Sequence, residues 1–332
     1  MTSIAIKNEL LINYELPKDT LYFLKDNTIE SQEKLVFDGG YIVIISDSIS
    51  IDLLRDVNNK AKEYAIDLAF MSPFNFCNNE VLIAKTSNYS AELNQELKKY
   101  TGKTDVVHVR FLPTLDKEGV IVLDMDSTCI QIECIDEIAK QYGVGKEISE
   151  ITSLAMHGHL DFKQSLRKRV SLLKDAPVSI LENLRNKLPI MPGFPELVNL
   201  LQAYNWKIAI ASGGFMPFVN KLKEDFNLTM VRANTFEIEG DHLTGGLIGE
   251  IVDSTVKVAT LHELCDTFGI LREQSIAIGD GANDLPMICA AGIGFAIHAK
   301  PIVREKAPAT INNFGLDAAA CILEAATRIN RI

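Results

Sequence analysis

Apolar residues along this chain fall into two rhythms. Short runs that are apolar throughout, GVIVLD (119–124), WKIAIAS (206–212), SIAIGD (275–280) and IGFAI (293–297), read as strands covered by helices on both faces. Between them apolar positions recur every three or four residues, the helical spacing. Strand and helix alternate from about residue 119 onward, which predicts an α/β fold with a Rossmann-like parallel sheet. Two stretches interrupt it. Residues 135–190 carry only helical spacing and predict a small helical cap inserted between the first and second strands. Residues 231–253 alternate around EGDH and predict a β-hairpin insertion turning at Gly240 and Asp241. Upstream, FDGGYIVIISD, ISIDLLRDVNNKAKEY, AIDLAFMS, EVLIAKTS, SAELNQELKKYTG and KTDVVHVRFL read in order as βαββαβ, an α+β unit. Ser48 or Ser50 is expected to cap its first helix and Gly102 to close its second. Residues 1–34 show no period and read as an irregular arm, while FLPTLDKEG reads as a linker. The expected division is 1–112, arm plus α+β domain, and 113–332, the parallel-sheet domain.

Composition narrows the setting. The chain has 332 residues, too many for one ordinary core, and is 47% hydrophobic and 23% charged, as packed globular proteins are. Lys and Arg total 33 against 44 Asp and Glu. A net charge of −11 repels polyanions and argues against a nucleic-acid partner, so any phosphate site must be built locally. No apolar run approaches the roughly 20 residues of a membrane span, and the N-terminus has no signal-peptide core. A cytoplasmic protein without a membrane partner is expected. The six cysteines form no C-x-x-C pair and are expected to be reduced.

Candidate chemistry lies where the strands end, because loops and helix N-termini converge at the carboxyl edge of a parallel sheet. The first strand runs into Asp124-Met125-Asp126-Ser127-Thr128, the second into Ser212-Gly213-Gly214, and the third of the quoted runs into Gly279-Asp280-Gly281-Ala282-Asn283-Asp284. Singly, each is an ordinary cap or turn. Together they bring Asp124, Asp126, Asp280 and Asp284 to one edge, where crowded carboxylates call for a hard cation such as Mg2+. In the cap stretch, helical geometry places Arg169 about 20° from Phe162 on the apolar stripe of Leu166, Val170 and Leu173, with Arg167 and Lys168 about 140° and 240° away. An inward arginine needs an anion: either a ligand carboxylate or an acidic side chain of a neighbouring helix. Glu133 lies about two helical turns beyond Asp126 and so is expected to face the same pocket. His157 and His159 have no partner at metal-ligand spacing and read as loop residues.

DMDST, SGG, the lysine of STVKVATL and GDGANDLPM resemble the four motifs of the haloacid dehalogenase-like phosphatase superfamily. IECIDEIA, LDFKQSLRKRVSLLKD and ASGGF resemble its phosphoserine phosphatases, and the similarity spans about residues 119–325. The resemblance implies hydrolysis of O-phospho-L-serine to L-serine and phosphate, the last step of serine biosynthesis. It makes Asp124 the nucleophile and Asp126 the acid–base partner. Asp124, Asp280 and the backbone carbonyl of Asp126 would hold Mg2+, with Asp284 acting through its waters. Ser212, Gly213 and Lys257 would take the phosphoryl oxygens, helped by Asn283. Glu133 would bind the substrate ammonium, Arg169 its carboxylate, and Met156 and Phe162 would wall the pocket. Two other readings stay open: a transferase passing the phosphoryl group to homoserine, and a catalytically idle amino-acid sensor. The βαββαβ unit resembles ACT domains by topology. Amino-acid-binding members usually carry a glycine where this chain has Ser46-Asp47-Ser48-Ile49-Ser50. Dimerisation, giving a homodimer, or plain stabilisation is then as good an expected role as serine sensing.

Overall fold

In the computed structural model, residues 3–6, 9–26, 28–31, 37–157 and 159–332 are described, Met156 by its backbone alone. The first sheet contains β1 (Ser3–Ala5), β2 (Tyr22–Lys25), β3 (Thr28–Ser31), β4 (Gly40–Ser46), β5 (Leu68–Phe70), β6 (Phe74–Phe76), β7 (Asn79–Thr86) and β8 (Thr104–Val109), with helices α1 (Ile51–Glu63) and α2 (Ala91–Leu97). Its order is β1-β3-β2-β5-β7-β4-β8, all antiparallel, and β6 also pairs with β7. The expected βαββαβ path is present, with one strand split. AIDLAFMS gives β5, and β6 follows along the same neighbour after Met71-Ser72-Pro73, where proline has no N–H for a ladder. The arm is not irregular. It forms β1, β2 and β3: β2 and β3 make an antiparallel hairpin on the β5 edge, and β1 pairs on the outer side of β3. Strands of three or four residues are too short to display a period. Residues 1, 2, 7, 8, 27 and 32–36 of this region lie outside the described residues.

Ser50 caps α1, its hydroxyl accepting the Leu53 N–H at 3.0 Å. Gly102 does not close α2, which ends at Leu97 with Lys98 as its C-cap. The Lys98 ammonium is drawn across to the carbonyls of Arg304 and Ala307 at 3.1 and 2.7 Å, and Gly102, at φ +80°, makes the later turn into β8.

The second sheet holds β9 (Val120–Leu123), β10 (Lys207–Phe215), β11 (Met230–Glu239), β12 (His242–Ile248), β13 (Ser275–Gly279), β14 (Ile293–Ile297) and β15 (Ala309–Ile311), in the order β12-β11-β10-β9-β13-β14-β15. Every pair from β11 to β15 is parallel. β9 sits in the middle with all four residues at 0% exposure, which is why its sequence is apolar without alternation. Helices α3 (Cys134–Tyr142), α4 (Gly145–Met156), α5 (Phe162–Ser171) and α6 (Ser179–Arg185) form the cap between β9 and β10. The framework continues with α7 (Phe194–Ala203), α8 (Met216–Phe226), α9 (Ser254–Phe268), α10 (Leu285–Ala290), α11 (Pro301–Lys306) and α12 (Asp317–Ile329).

The hairpin turns at Gly240, φ +57°, and pairs Glu239 with His242, as the sequence predicts. It is also part of the framework, since β11 lies parallel beside β10 and β12 props the cap through Asp175 N–H to the Leu243 carbonyl at 2.8 Å. The linker is packed: Leu112 and Leu115 are buried, and the Leu115 N–H reaches the Thr327 hydroxyl at 2.8 Å. Buried Asp105 on β8 accepts the N–H groups of Asn312 and Asn313, fastening the two sheets to each other. Among the described residues no helix is long and apolar enough to cross a membrane.

Candidate active site

Asp124 follows the central strand directly, and its N–H bonds to the Ile278 carbonyl of β13 at 2.9 Å, so its backbone is fixed by the sheet. Its Oδ1 accepts the Met125 N–H at 2.8 Å and the Lys257 ammonium at 2.9 Å. Lys257, on the first turns of α9, is 0% exposed and also bonds Asp284 Oδ1 at 2.6 Å. Burial alone would depress its ammonium, but Asp124 and Asp284 outweigh burial and hold it above its ordinary value. The helix that delivers it starts cleanly because Asp253 caps the Thr255 and Val256 N–H groups. Asp284 Oδ2 accepts the Gly281 N–H at 3.0 Å, which ties the GDGAND loop to the same anchor.

Carboxyl oxygens of Asp124, Asp280 and Asp284 lie within 4.8 Å of one another. Burial, then Asp124 and Asp284, push the Asp280 carboxyl up to about 8. Burial and Asp124, opposed by Lys257, push Asp284 up to about 6. One ammonium does not neutralise three carboxylates, and an all-oxygen donor set of this charge fits a hard divalent cation.

The cleft above is lined by Asp124, Asp126, Glu133, Phe162, Arg169, Ser212, Gly213, Asp280, Asn283 and Lys300, among others. Ser212 is buried and its hydroxyl accepts the Gly214 N–H at 3.0 Å. Phe162 reaches down from the cap so closely that a Cβ on Gly213 would lie 2.8 Å from its Cζ. Arg169 faces the cleft, whereas Arg167 and Lys168 are exposed, as the helical wheel requires. Burial lowers its guanidinium, and Asp136, Glu133 and Asp126 oppose that. Glu133 reaches the cleft by another route than two helical turns. Residues 127–133 are not helical, Ser127 adopts φ +54°, and Glu133 is the N-cap of α3 with Oε1 accepting the Ser127 hydroxyl at 2.8 Å. Burial raises the Asp126 carboxyl well above its ordinary value, with Glu133 and Asp124 adding to it. Two polar atoms in this cleft, Asp126 Oδ1 and Arg169 Nε, are buried without a hydrogen-bond partner among the described residues. The Met156 side chain and residue 158 lie outside the described residues, and His157 Nδ1 lies 2.8 Å from the Ser153 carbonyl of the preceding helix.

Other residues support the site without touching the ligand groups assigned above. Asn234 on β11 donates to the Gly213 carbonyl at 2.8 Å and accepts the Val252 N–H at 2.9 Å, holding the glycine loop to the segment entering α9. Its one sequence signal is a polar residue within a strand. A Cβ on Gly214 would meet Asp126 Oδ2 at 3.1 Å, so this second glycine keeps the wall beside Asp126 open. The Cys129 thiol donates to the Asp124 carbonyl at 3.0 Å and braces the turn from below.

A family model for haloacid dehalogenase-like hydrolases matches residues 119–292. Phosphoserine phosphatase of Vibrio cholerae serotype O1 is 52% identical over 222 residues, 67% of this chain and 68% of that one. Its Haemophilus influenzae counterpart is 51% identical over 227 residues, 68% and 72% of the two chains. The crystal structure of a probable phosphoserine phosphatase from Vibrio cholerae, unliganded, superposes with a TM-score of 0.75 at 43% identity, covering 88% of each chain. A substrate-bound phosphoserine phosphatase complex superposes with a TM-score of 0.58 at 40% identity, covering 61% of this chain and 97% of that one. With its three strand-tip motifs and the lysine of α9 inside the matched segment, the chain belongs to the haloacid dehalogenase-like hydrolase family and groups there with the phosphoserine phosphatases.

Proposed function

We propose that the chain hydrolyses O-phospho-L-serine to L-serine and inorganic phosphate, in the cytoplasm, as the last step of serine biosynthesis. One observation carries the substrate assignment: a single cleft offers Glu133 for an ammonium, Arg169 for a carboxylate and the Asp124–Ser212 edge for a phosphoryl group. Those are the three charged groups of phosphoserine, and the named relatives of similar sequence support the same reading.

Lys257 and the Met125 N–H hold Asp124 by Oδ1, so Oδ2 is the oxygen turned to phosphorus. Asp124 attacks, the phosphorus–oxygen bond to serine breaks, and an aspartyl-phosphate forms. Asp126, kept protonated by burial beside Glu133, gives its proton to the departing seryl oxygen. In the second half, Asp126 takes a proton from water as that water displaces Asp124 from phosphorus, releasing phosphate. Ser212, whose oxygen already accepts the Gly214 N–H, has its hydroxyl hydrogen left for a phosphoryl oxygen, and Gly213, Asn283 and Lys257 complete that side. Mg2+ would be held by Asp124, Asp280 and the Asp126 carbonyl, with Asp284 contacting its waters, and when bound it supplies charge neutralisation at the phosphoryl oxygens. Phe162 on Gly213 excludes water from one wall, and Met156 is assigned to the same wall by the resemblance.

The division into a unit over 1–112 and a catalytic unit over 113–332 belongs to this proposal. So does an ACT-like role for the first unit in pairing two copies of the chain, supported by its βαββαβ path. The test is phosphate release from a panel of phosphate monoesters with and without Mg2+ and with and without homoserine. Phosphoserine should give the highest kcat/KM, depend on the metal and need no homoserine. Serine formed only when homoserine is present, with O-phosphohomoserine in place of free phosphate, would assign a transferase instead.

A further inference from the structure

Two cysteines lie together outside the catalytic cleft. Cys77 and Cys321 are 244 positions apart in sequence and meet where the first sheet touches the final helix. Cys77 occupies the β6–β7 turn with φ +47°, is half-buried, and forms the hairpin tip with Asn78. Cys321 lies on α12 at 0% exposure, and its Sγ contacts the carbonyl of Phe76, the residue just before Cys77, at 3.5 Å. The hairpin tip is pinned there by Asn79, whose amide donates to the Cys77 carbonyl at 3.1 Å and to Asp317 Oδ2 on α12 at 2.8 Å. The backbone on both sides of the sulfur pair is therefore held by independent contacts, which keep the hairpin tip and the helix beside each other.

We propose that Cys77 and Cys321 form a reversible disulfide on exposure to hydrogen peroxide, fastening the first sheet covalently to the last helix of the catalytic unit. The half-buried Cys77 reacts first: its thiolate attacks one peroxide oxygen, the O–O bond breaks, and the sulfur becomes a sulfenic acid as hydroxide leaves and is protonated to water. Cys321 sulfur then attacks the Cys77 sulfur. The S–S bond forms, the S–OH bond breaks, and the departing hydroxide takes the Cys321 proton. Two thiols and one peroxide become one disulfide and two waters. Reactivity at Cys77 agrees with its surroundings, since the hydrogen bond from Cys321 holds the Cys77 thiol below its ordinary value against burial and the carboxylates of Asp317, Glu196 and Glu324. The Cys321 thiol, hydrogen-bonded to Cys77 and buried, is held up and stays a proton carrier until its partner is oxidised. The bond would close most of the chain into one ring, a constraint on the unfolded ensemble and a brace across the contact between the two sheets.

The full chain, reduced and then treated with hydrogen peroxide, is digested without reduction and mapped by mass spectrometry, in parallel with thermal unfolding. The expected result is one linked pair of peptides containing Cys77 and Cys321, two hydrogens lighter than the separate peptides. The unfolding midpoint should rise by on the order of 5 °C and return after a thiol reductant. Cys77→Ser and Cys321→Ala should each remove both the link and the shift while leaving phosphate release by the reduced protein unchanged. Oxidation of Cys77 to a sulfinic acid with Cys321 untouched would overturn the proposal, as would modification confined to exposed Cys289. A link that forms in the wild type without moving the midpoint would overturn the fastening role.

Discussion

Replacing Arg169 with lysine should separate the substrate reading proposed for it from catalysis. The guanidinium faces the cleft with Nε buried and without a hydrogen-bond partner among the described residues, in the field of Asp136, Glu133 and Asp126. A substrate carboxylate would complete it through two parallel charge-assisted bonds, each contributing about 1.5–3 kcal/mol. Lysine keeps the charge but loses the fork, so about one such bond disappears, roughly 2–3 kcal/mol or a 30- to 150-fold fall in kcat/KM for phosphoserine. Phosphoethanolamine has no carboxylate and should lose less than about threefold, a ratio within the variation of a single contact. The assay is continuous phosphate release with both substrates under metal saturation, alongside Arg167→Lys, which alters an exposed side chain and should be nearly silent. Equal losses on both substrates would refute the assignment and make Arg169 a purely structural counterion to the cap acids.

Asp124→Asn should abolish turnover with the fold intact, read by circular dichroism and by the loss of acid-stable label from labelled substrate; label persisting at Asp126 would contradict the nucleophile. Gly213→Ala places a methyl group 2.8 Å from Phe162 Cζ, so the cap must shift, and kcat/KM should fall by about tenfold or more while the unfolding midpoint barely moves. Mg2+ at about 100 times its Kd should add about 2.7 kcal/mol of stability by relieving Asp280 and Asp284, and Asp280→Asn should abolish that shift in differential scanning calorimetry. His108 is fully buried between the Tyr41 carbonyl and the Ser90 N–H, and burial holds its pKa down to about 4. Its folded value lies below the unfolded one, so its contribution is complete above pH 6.5 and is lost as pH falls towards 4. That loss is about 3 kcal/mol, measurable by urea midpoints, and His108→Gln should flatten the slope in that window.

The parts of the fold that were legible are those in which one segment carries its whole signal. β9 is apolar at every position because helices cover both its faces, and the aspartates after it are visible because nothing else in a buried strand is charged. Arg169 was legible because ten residues of α5 supply a full helical wheel. β1–β3 and β15 were not, since these short segments mix polar and apolar positions, unlike the all-apolar β9, and acquire their identity from the neighbour they pair with. Glu133 was found for an incorrect geometric reason: spacing suggested a helix, whereas the turn at Ser127 brings the chain back to the cleft. Asn234 acts through backbone groups of two other segments, a relation that exists only after β11 docks beside β10.

The cleft handles its acids in two opposite ways, and substrate choice follows from the contrast. Asp124 and Asp284 share the buried Lys257, so their charges are compensated by the protein itself. Asp126 and Glu133 have no such cation within bonding distance among the described residues, and burial raises both carboxyls. The first pair suits a nucleophile that must stay ionised; the second suits a proton donor and a group waiting for a ligand ammonium. A phosphate monoester without an ammonium leaves Glu133 buried beside Asp126 with its charge unanswered, and one without a carboxylate leaves the Arg169 fork unpaired. Each omission forfeits a charge-assisted bond and also keeps the desolvation cost of the protein group that would have made it. With the roles proposed for Glu133 and Arg169, discrimination in this cleft would rest less on added attraction for phosphoserine than on what the protein's own buried charges lose when any other monoester occupies it.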